Sequence, residues 1–167
     1  MLDGILTRLS DGNTEIAFER LIDKPAEKVW AALTDPVVLA KWLGEVDVEL
    51  RIGGKYVIHF REMKAVMTGV ITRLEPPHLL EYSWLENDEM PQSLLRWEIT
   101  AEGSTCRLKL RHSFPPVRWK DLVSFLAGWH VFLDAIPRAA NGMFVPHATE
   151  KERELDKLYR SKFPNWE

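Results

Sequence analysis

Cysteine is almost missing from this sequence. Cys106 is the only one, so no disulfide can form within the chain, and a reducing, cytoplasmic location is the expectation. Long apolar runs are missing too. Nothing approaches the roughly 18 residues that a spanning helix needs, so no membrane insertion is expected. The first residues, MLDGILTRLSDGN, lack a basic region followed by a sustained apolar stretch and do not read as a signal peptide. Charge of one sign is not in excess. With 22 Lys and Arg against 25 Asp and Glu, the net charge of −3 gives no electrostatic reason to expect a nucleic acid partner. Catalytic wording is absent as well. There is no Gly-x-Ser-x-Gly elbow, and RIGGKY lacks the spacing of a phosphate loop. The histidines (59, 78, 112, 130, 147) show no metal-ligand spacing. No catalytic residue, metal or cofactor is therefore assigned, and whether the protein is an enzyme stays open.

What is present is an interior. The 167 residues are 46% apolar, enough for one domain with a sizeable core. The stretch from Trp119 to Asn141 has a helical period. Trp119, Leu122, Val123, Phe125, Leu126, Trp129, Phe132, Leu133 and Ile136 fall on one continuous half of it, with Val131 out of place. That arc, about 180° wide, is broader than a surface helix needs and calls for a trough rather than a flat neighbour.

The rest of the chain supplies a sheet. Residues 14–22 read as a strand, DKPAEKVWAAL as a helix, and Asp35-Pro36 as the cap and first residue of a second short helix that stops near Gly44. From Val46 the period becomes two, predicting strands at 46–51, 54–61, 66–75, 78–86, 93–102 and 104–113. Gly53-Gly54, Pro76-Pro77 and Glu102-Gly103 are turn signals that force antiparallel neighbours. One side of these strands is apolar (Tyr56, Ile58, Phe60; Leu80, Tyr82, Trp84; Leu95, Trp97, Ile99; Cys106, Leu108, Leu110). The other side, with Glu81 and Arg96 on it, reads as wet. A seven-stranded twisted sheet tends to curl, and the curl makes the trough. After Gly142, HATEKERELDKLYRSKF predicts a tail helix with a Thr149/Glu152 capping box and a narrow stripe of Leu155, Leu158 and Tyr159. The expected division is a domain at 1–142 and an accessory helix and tail at 143–167, docking on the surface or on a second copy of the chain as a homodimer.

The order β-α-α-β×6-α resembles the helix-grip (START-like, SRPBCC) superfamily. Within it, four phrases resemble the family of homologues of the activator of the heat-shock-protein-90 ATPase. These are IDKPAEKVWAALTDP at 22–36, RIGGKY at 51–56, GVITRLEPPHLLEYSW at 69–84 and GWHVFLD at 128–134. Leu43 stands where members often carry a second tryptophan after Trp42. Pro137 interrupts a helix that members usually continue, and it should kink or end that helix. The resemblance implies an α+β fold: a curved antiparallel sheet gripping the long C-terminal helix, with a cavity between them that relatives use for sterols, lipids, hormones and polyketides.

The cavity candidates are Tyr56, Met67, Tyr82, Trp84, Trp97, His112, Phe125, Trp129, Phe132 and Leu133, inward by strand parity or helix angle, with Met63 beside Met67 as an adaptable rim. The expected function is binding of a small, largely apolar molecule. One alternative is a co-chaperone-like module touching a heat-shock chaperone through the convex sheet. A second is a polyketide cyclase-like or hydrolase-like enzyme using His112 or His130.

Overall fold

Alternation of period two builds most of this molecule. The computed structural model describes residues 1–61, 64–87 and 90–167. In chain order these form β1 (Ile5–Arg8), β2 (Thr14–Ile22), α1 (Ala26–Thr34), α2 (Pro36–Leu39), β3 (Gly44–Val48), β4 (Lys55–Phe60), β5 (Val66–Glu75), β6 (Leu79–Trp84), β7 (Ser93–Glu102), β8 (Thr105–Phe114), α3 (Trp119–Ala140) and α4 (Thr149–Lys162). The strands make one antiparallel sheet in the order β1-β2-β8-β7-β6-β5-β4-β3. Tight turns join β4 to its predecessor through Gly53, at φ +82°, and β7 to β8 through Gly103, at φ +68°. Both lie in the left-handed region that a side chain would strain. A register shift between Ile71 and Arg73 bends the β5–β6 pair. The apolar faces of the strands and of α3 are buried together in one core, which makes this the helix grip that the resemblance implies.

Five expectations need correction. The sheet has eight strands among the described residues, not seven, because residues 5–8 pair along β2 as an edge. Glu81, read as wet, is only 5% exposed. Thr72 Oγ1 donates to its Oε1 at 2.9 Å and Arg96 Nε to its Oε2 at 2.8 Å, so the carboxylate is buried with its lone pairs used. Thr149 does not cap α4. It is the first helical residue, Ala148 precedes it without a side-chain bond, and the Glu152 carboxylate goes instead to His147 Nε2. Val131 is buried although it lies off the main arc, on the side facing the stretch around Val145, whose N–H donates to the Lys41 carbonyl at 2.8 Å. Finally, α3 runs past Pro137 to Ala140. Its end is held by buried Ala139 and by the N–H groups of Gly142 and Met143, which donate to the Ala139 and Arg138 carbonyls. The predicted cap of α2 is present: the Asp35 side chain accepts from the Val37 N–H at 2.9 Å, ahead of Pro36.

The N-terminal segment is tied to β2 and α4. Arg20 on β2 bridges Asp3 and Asp134, each at 2.6 Å. The Tyr159 hydroxyl of α4 accepts from the Gly4 N–H at 2.9 Å and pairs with His130 Nδ1 at 2.8 Å. Leu155 and Tyr159 are buried in the common core. No helix among the described residues is long and apolar enough to cross a membrane.

Candidate functional site

The advance of α3 puts Asp121, Phe125, Gly128 and Phe132 on one side, three or four residues apart, with Ser124 and Trp129 flanking them. This side does not close on the sheet. Between it and the ends of β4 and β6 lies a cleft of about 230 Å³. Its walls are Phe60, Trp84, Met90, Phe125, Trp129 and Phe132. Its polar margin is Glu86, Asp121, Ser124 and, from α4, Glu152. Trp84 and Trp129 meet edge to face, with centroids 5.4 Å apart at 64°, and Trp129 and Phe132 are tilted at 5.9 Å.

Gly128 is the odd residue in this wall. A glycine inside a helix costs about 1 kcal/mol relative to alanine. Packing does not require it here, because a Cβ added at Gly128 would meet nothing within 4 Å. The room beside the backbone belongs to the cleft.

Two polar groups belong to residues of this wall. The indole N–H of Trp84 is buried and has no hydrogen-bond partner. The Glu86 carboxyl stands close enough to feel it: burial raises the Glu86 pKa above its usual value, and Trp84 lowers it part of the way back. Of the other carboxylates, Asp121 is held by Arg118 at 2.8 Å and Glu152 by His147.

Four of the ten sequence candidates (Trp84, Phe125, Trp129 and Phe132) come together on the cleft. Tyr56, Met67, Tyr82, Trp97, His112 and Leu133 are buried in the core instead. Tyr56 donates its hydroxyl to the Leu33 carbonyl at 2.7 Å and stacks on Tyr82 at 4.0 Å. Trp97 Nε1 donates to the Tyr82 hydroxyl at 3.2 Å, and burial drives both tyrosine pKa values up. Met63 lies outside the described residues.

His112 sits directly behind the aromatic wall. Trp129 Nε1 donates to its Nδ1 at 3.1 Å, so the proton is on Nε2, which donates to Ser93 Oγ at 2.7 Å. Complete burial lowers its pKa to about 3, which keeps the ring neutral. In that state it orients Trp129 rather than exchanging protons with a ligand. His130 faces Tyr159 and Arg20's carboxylate partners, not the cleft. Phe60, Glu86, Met90, Gly128 and Glu152 were not among the cavity candidates from the sequence. Phe60 carried the inward parity of its strand, and Gly128 the signal of a helix-weakening residue inside an aromatic helix. Among the described residues no cluster of three or more His, Cys, Asp or Glu is placed to hold a metal.

Comparison with known proteins gives the family. The family described as Activator of Hsp90 ATPase homolog 1-like protein matches residues 23–141. No curated protein matches the sequence. Among solved structures, CalU16 from Micromonospora echinospora is 25% identical, with a TM-score of 0.75 over 95% of this chain and 96% of that one. EF2215 from Enterococcus faecalis, a conserved protein of unknown function, is 18% identical, with a TM-score of 0.77 over 95% of this chain and 89% of its own. DynU16, from the dynemicin biosynthetic locus, is 21% identical, with a TM-score of 0.72 over 78% of this chain and 48% of its own.

Proposed function

The chain belongs to the Activator of Hsp90 ATPase homolog 1-like family, and from that premise we propose that it binds a small, largely apolar molecule in the cleft between α3 and the ends of β4 and β6. The observation that carries this reading is the open space at Gly128, in a wall otherwise built of large rings. A protein that filled this trough with its own side chains would gain both packing and helix propensity by placing alanine or leucine there. An apolar wall with a few polar groups is also the usual make-up of a small-molecule site.

The test uses Gly128→Leu. The new side chain enters open space and replaces glycine with a better helix former, so unfolding should move to equal or higher stability, by up to about 1 kcal/mol. Binding of an apolar fluorescent dye, read by quenching of tryptophan emission, should fall at least tenfold in the variant, on the order of 1.4 kcal/mol. Dye binding unchanged in a folded Gly128→Leu protein would place the binding elsewhere and sink this reading.

A contact with a heat-shock chaperone is the second reading. It is favoured by the family's description and by the exposed Val70 on β5, Leu94 on β7 and Leu85 just past the end of β6. A direct titration with purified chaperone, weakened by Val70→Lys but not by Gly128→Leu, would put it first.

A further inference from the structure

The charge around the cleft has one sign. Glu86, Asp121 and Glu152 line it, and no lysine, arginine or histidine does so among the described residues. Two of the three carboxylates already have a side-chain partner: Asp121 in Arg118 and Glu152 in His147. Glu86 has no cationic partner within ion-pair distance among the described residues, yet it is half-buried. An ionised carboxylate out of water without a counter-charge is costly, and the protein has placed it beside ring systems rather than away from them. Trp84 and Trp129 cross at 64° to make an aromatic corner on the same cleft. A compact cation is attracted both to the face of an indole and to a carboxylate without a counter-charge.

We propose that the ligand is an amphiphilic amine: an apolar body in the aromatic cleft, with a protonated or quaternary nitrogen held between Glu86 and the Trp84–Trp129 corner. This rests on the cleft-binding reading above and adds the charge of the ligand to it. The nitrogen supplies the counter-charge that Glu86 lacks. The apolar chain takes the space beside Gly128 and Phe125. An anionic amphiphile of the same length would meet Glu86, which has no counter-charge among the described residues, and no cation lining the cleft.

The experiment compares three probes with one tail, octyltrimethylammonium, 1-octanol and octanoate, each below its aggregation concentration. Binding is followed by tryptophan emission and by calorimetry at low and moderate salt. The ammonium compound should bind about tenfold more tightly than the alcohol, the order expected for a desolvated cation–π contact with a carboxylate beside it, and octanoate most weakly. In Glu86→Gln, which keeps the shape of the side chain, the ammonium advantage should shrink to within about threefold while the alcohol binds as before. Glu75→Gln, exposed and far from the cleft, controls for general attraction to an acidic protein and should retain the full preference. The proposal is overturned if the alcohol matches the ammonium compound, if octanoate binds best, or if Glu86→Gln weakens all probes alike. Failure of all three probes to bind in the wild-type protein would instead remove the cleft-binding reading itself.

Discussion

One buried histidine makes the stability of this protein depend on pH. His112 is fully buried, accepts from Trp129 and donates to Ser93, and its pKa is lowered to about 3. An unfolded chain would protonate the same ring near pH 6.5, the usual value. Between those two pH values the unfolded state binds a proton that the folded state refuses. Stability from this residue is therefore complete above about pH 6.5 and is lost as pH falls, at about 1.4 kcal/mol per unit. His112→Gln separates this effect from the carboxylates that titrate in the same window. Glutamine can accept from Trp129 and donate to Ser93, but it does not ionise. Chemical denaturation between pH 6.5 and 4 should show a shallower fall in the variant than in the wild-type protein. Equal slopes would mean that His112 is not the buried neutral group described here. The residue scale is also where sequence reading had least to work with. The inward direction of His112 was legible from the parity of Leu108 and Leu110. Its two bonds were not, because they depend on which residue of β7 and which turn of α3 come to face it.

At the scale of elements, the long periodic ones were legible and the short or paired ones were not. Sheet alternation marked Tyr56, Ile58, Leu80, Trp97, Leu108 and Leu110, all of which are buried. By contrast, β1 is four residues long with only Leu6 buried, too short to show a period. The burial of Glu81 needed the register that sets it against Arg96. The role of Tyr159 needed knowledge that the N-terminal segment runs under α4. That last contact gives a prediction about how one element holds another. Tyr159→Phe keeps the ring but leaves the Gly4 N–H and His130 Nδ1 without the hydroxyl they share. Losing that partner for buried groups should cost about 1–3 kcal/mol. The loss should act first on β1, whose partner in the sheet is β2 alone. Hydrogen exchange at Ile5 and Thr7, whose N–H groups face β2, should then rise before that at Leu110 in β8. Uniform acceleration across the sheet would show instead that β1 unfolds only with the whole molecule.

For the molecule as a whole, the grip of an antiparallel sheet on a long helix was legible from the order of elements and the width of one apolar arc. The cleft was only half legible. The rings that wall it were inward by pattern, but so were those that fill the core beside it, and nothing in a period distinguishes Trp84 from Trp97. What separates them is the height at which each meets α3 and the gap left by Gly128, which is a property of the assembled fold. The division at Gly142 belongs to this scale too, and we propose that residues 1–142 fold as a unit to which 143–167 are an accessory. Removing the latter exposes the sites of Val145, Leu155 and Tyr159, all buried in the intact chain. Burial of each contributes about 1.5–3 kcal/mol. Against that, the freed tail regains conformational entropy of about 1–2 kcal/mol per ordered residue, so the net loss should be far smaller than the sum, about 1–3 kcal/mol. A chain truncated after Gly142 should therefore unfold in one cooperative transition at a lower denaturant midpoint. It should also bind apolar dye more weakly, because the cleft loses the wall that carries Glu152. A truncated chain without a cooperative transition would make α4 part of the core unit and end the proposed division. A cooperative one with dye affinity unchanged would leave α4 outside the binding site.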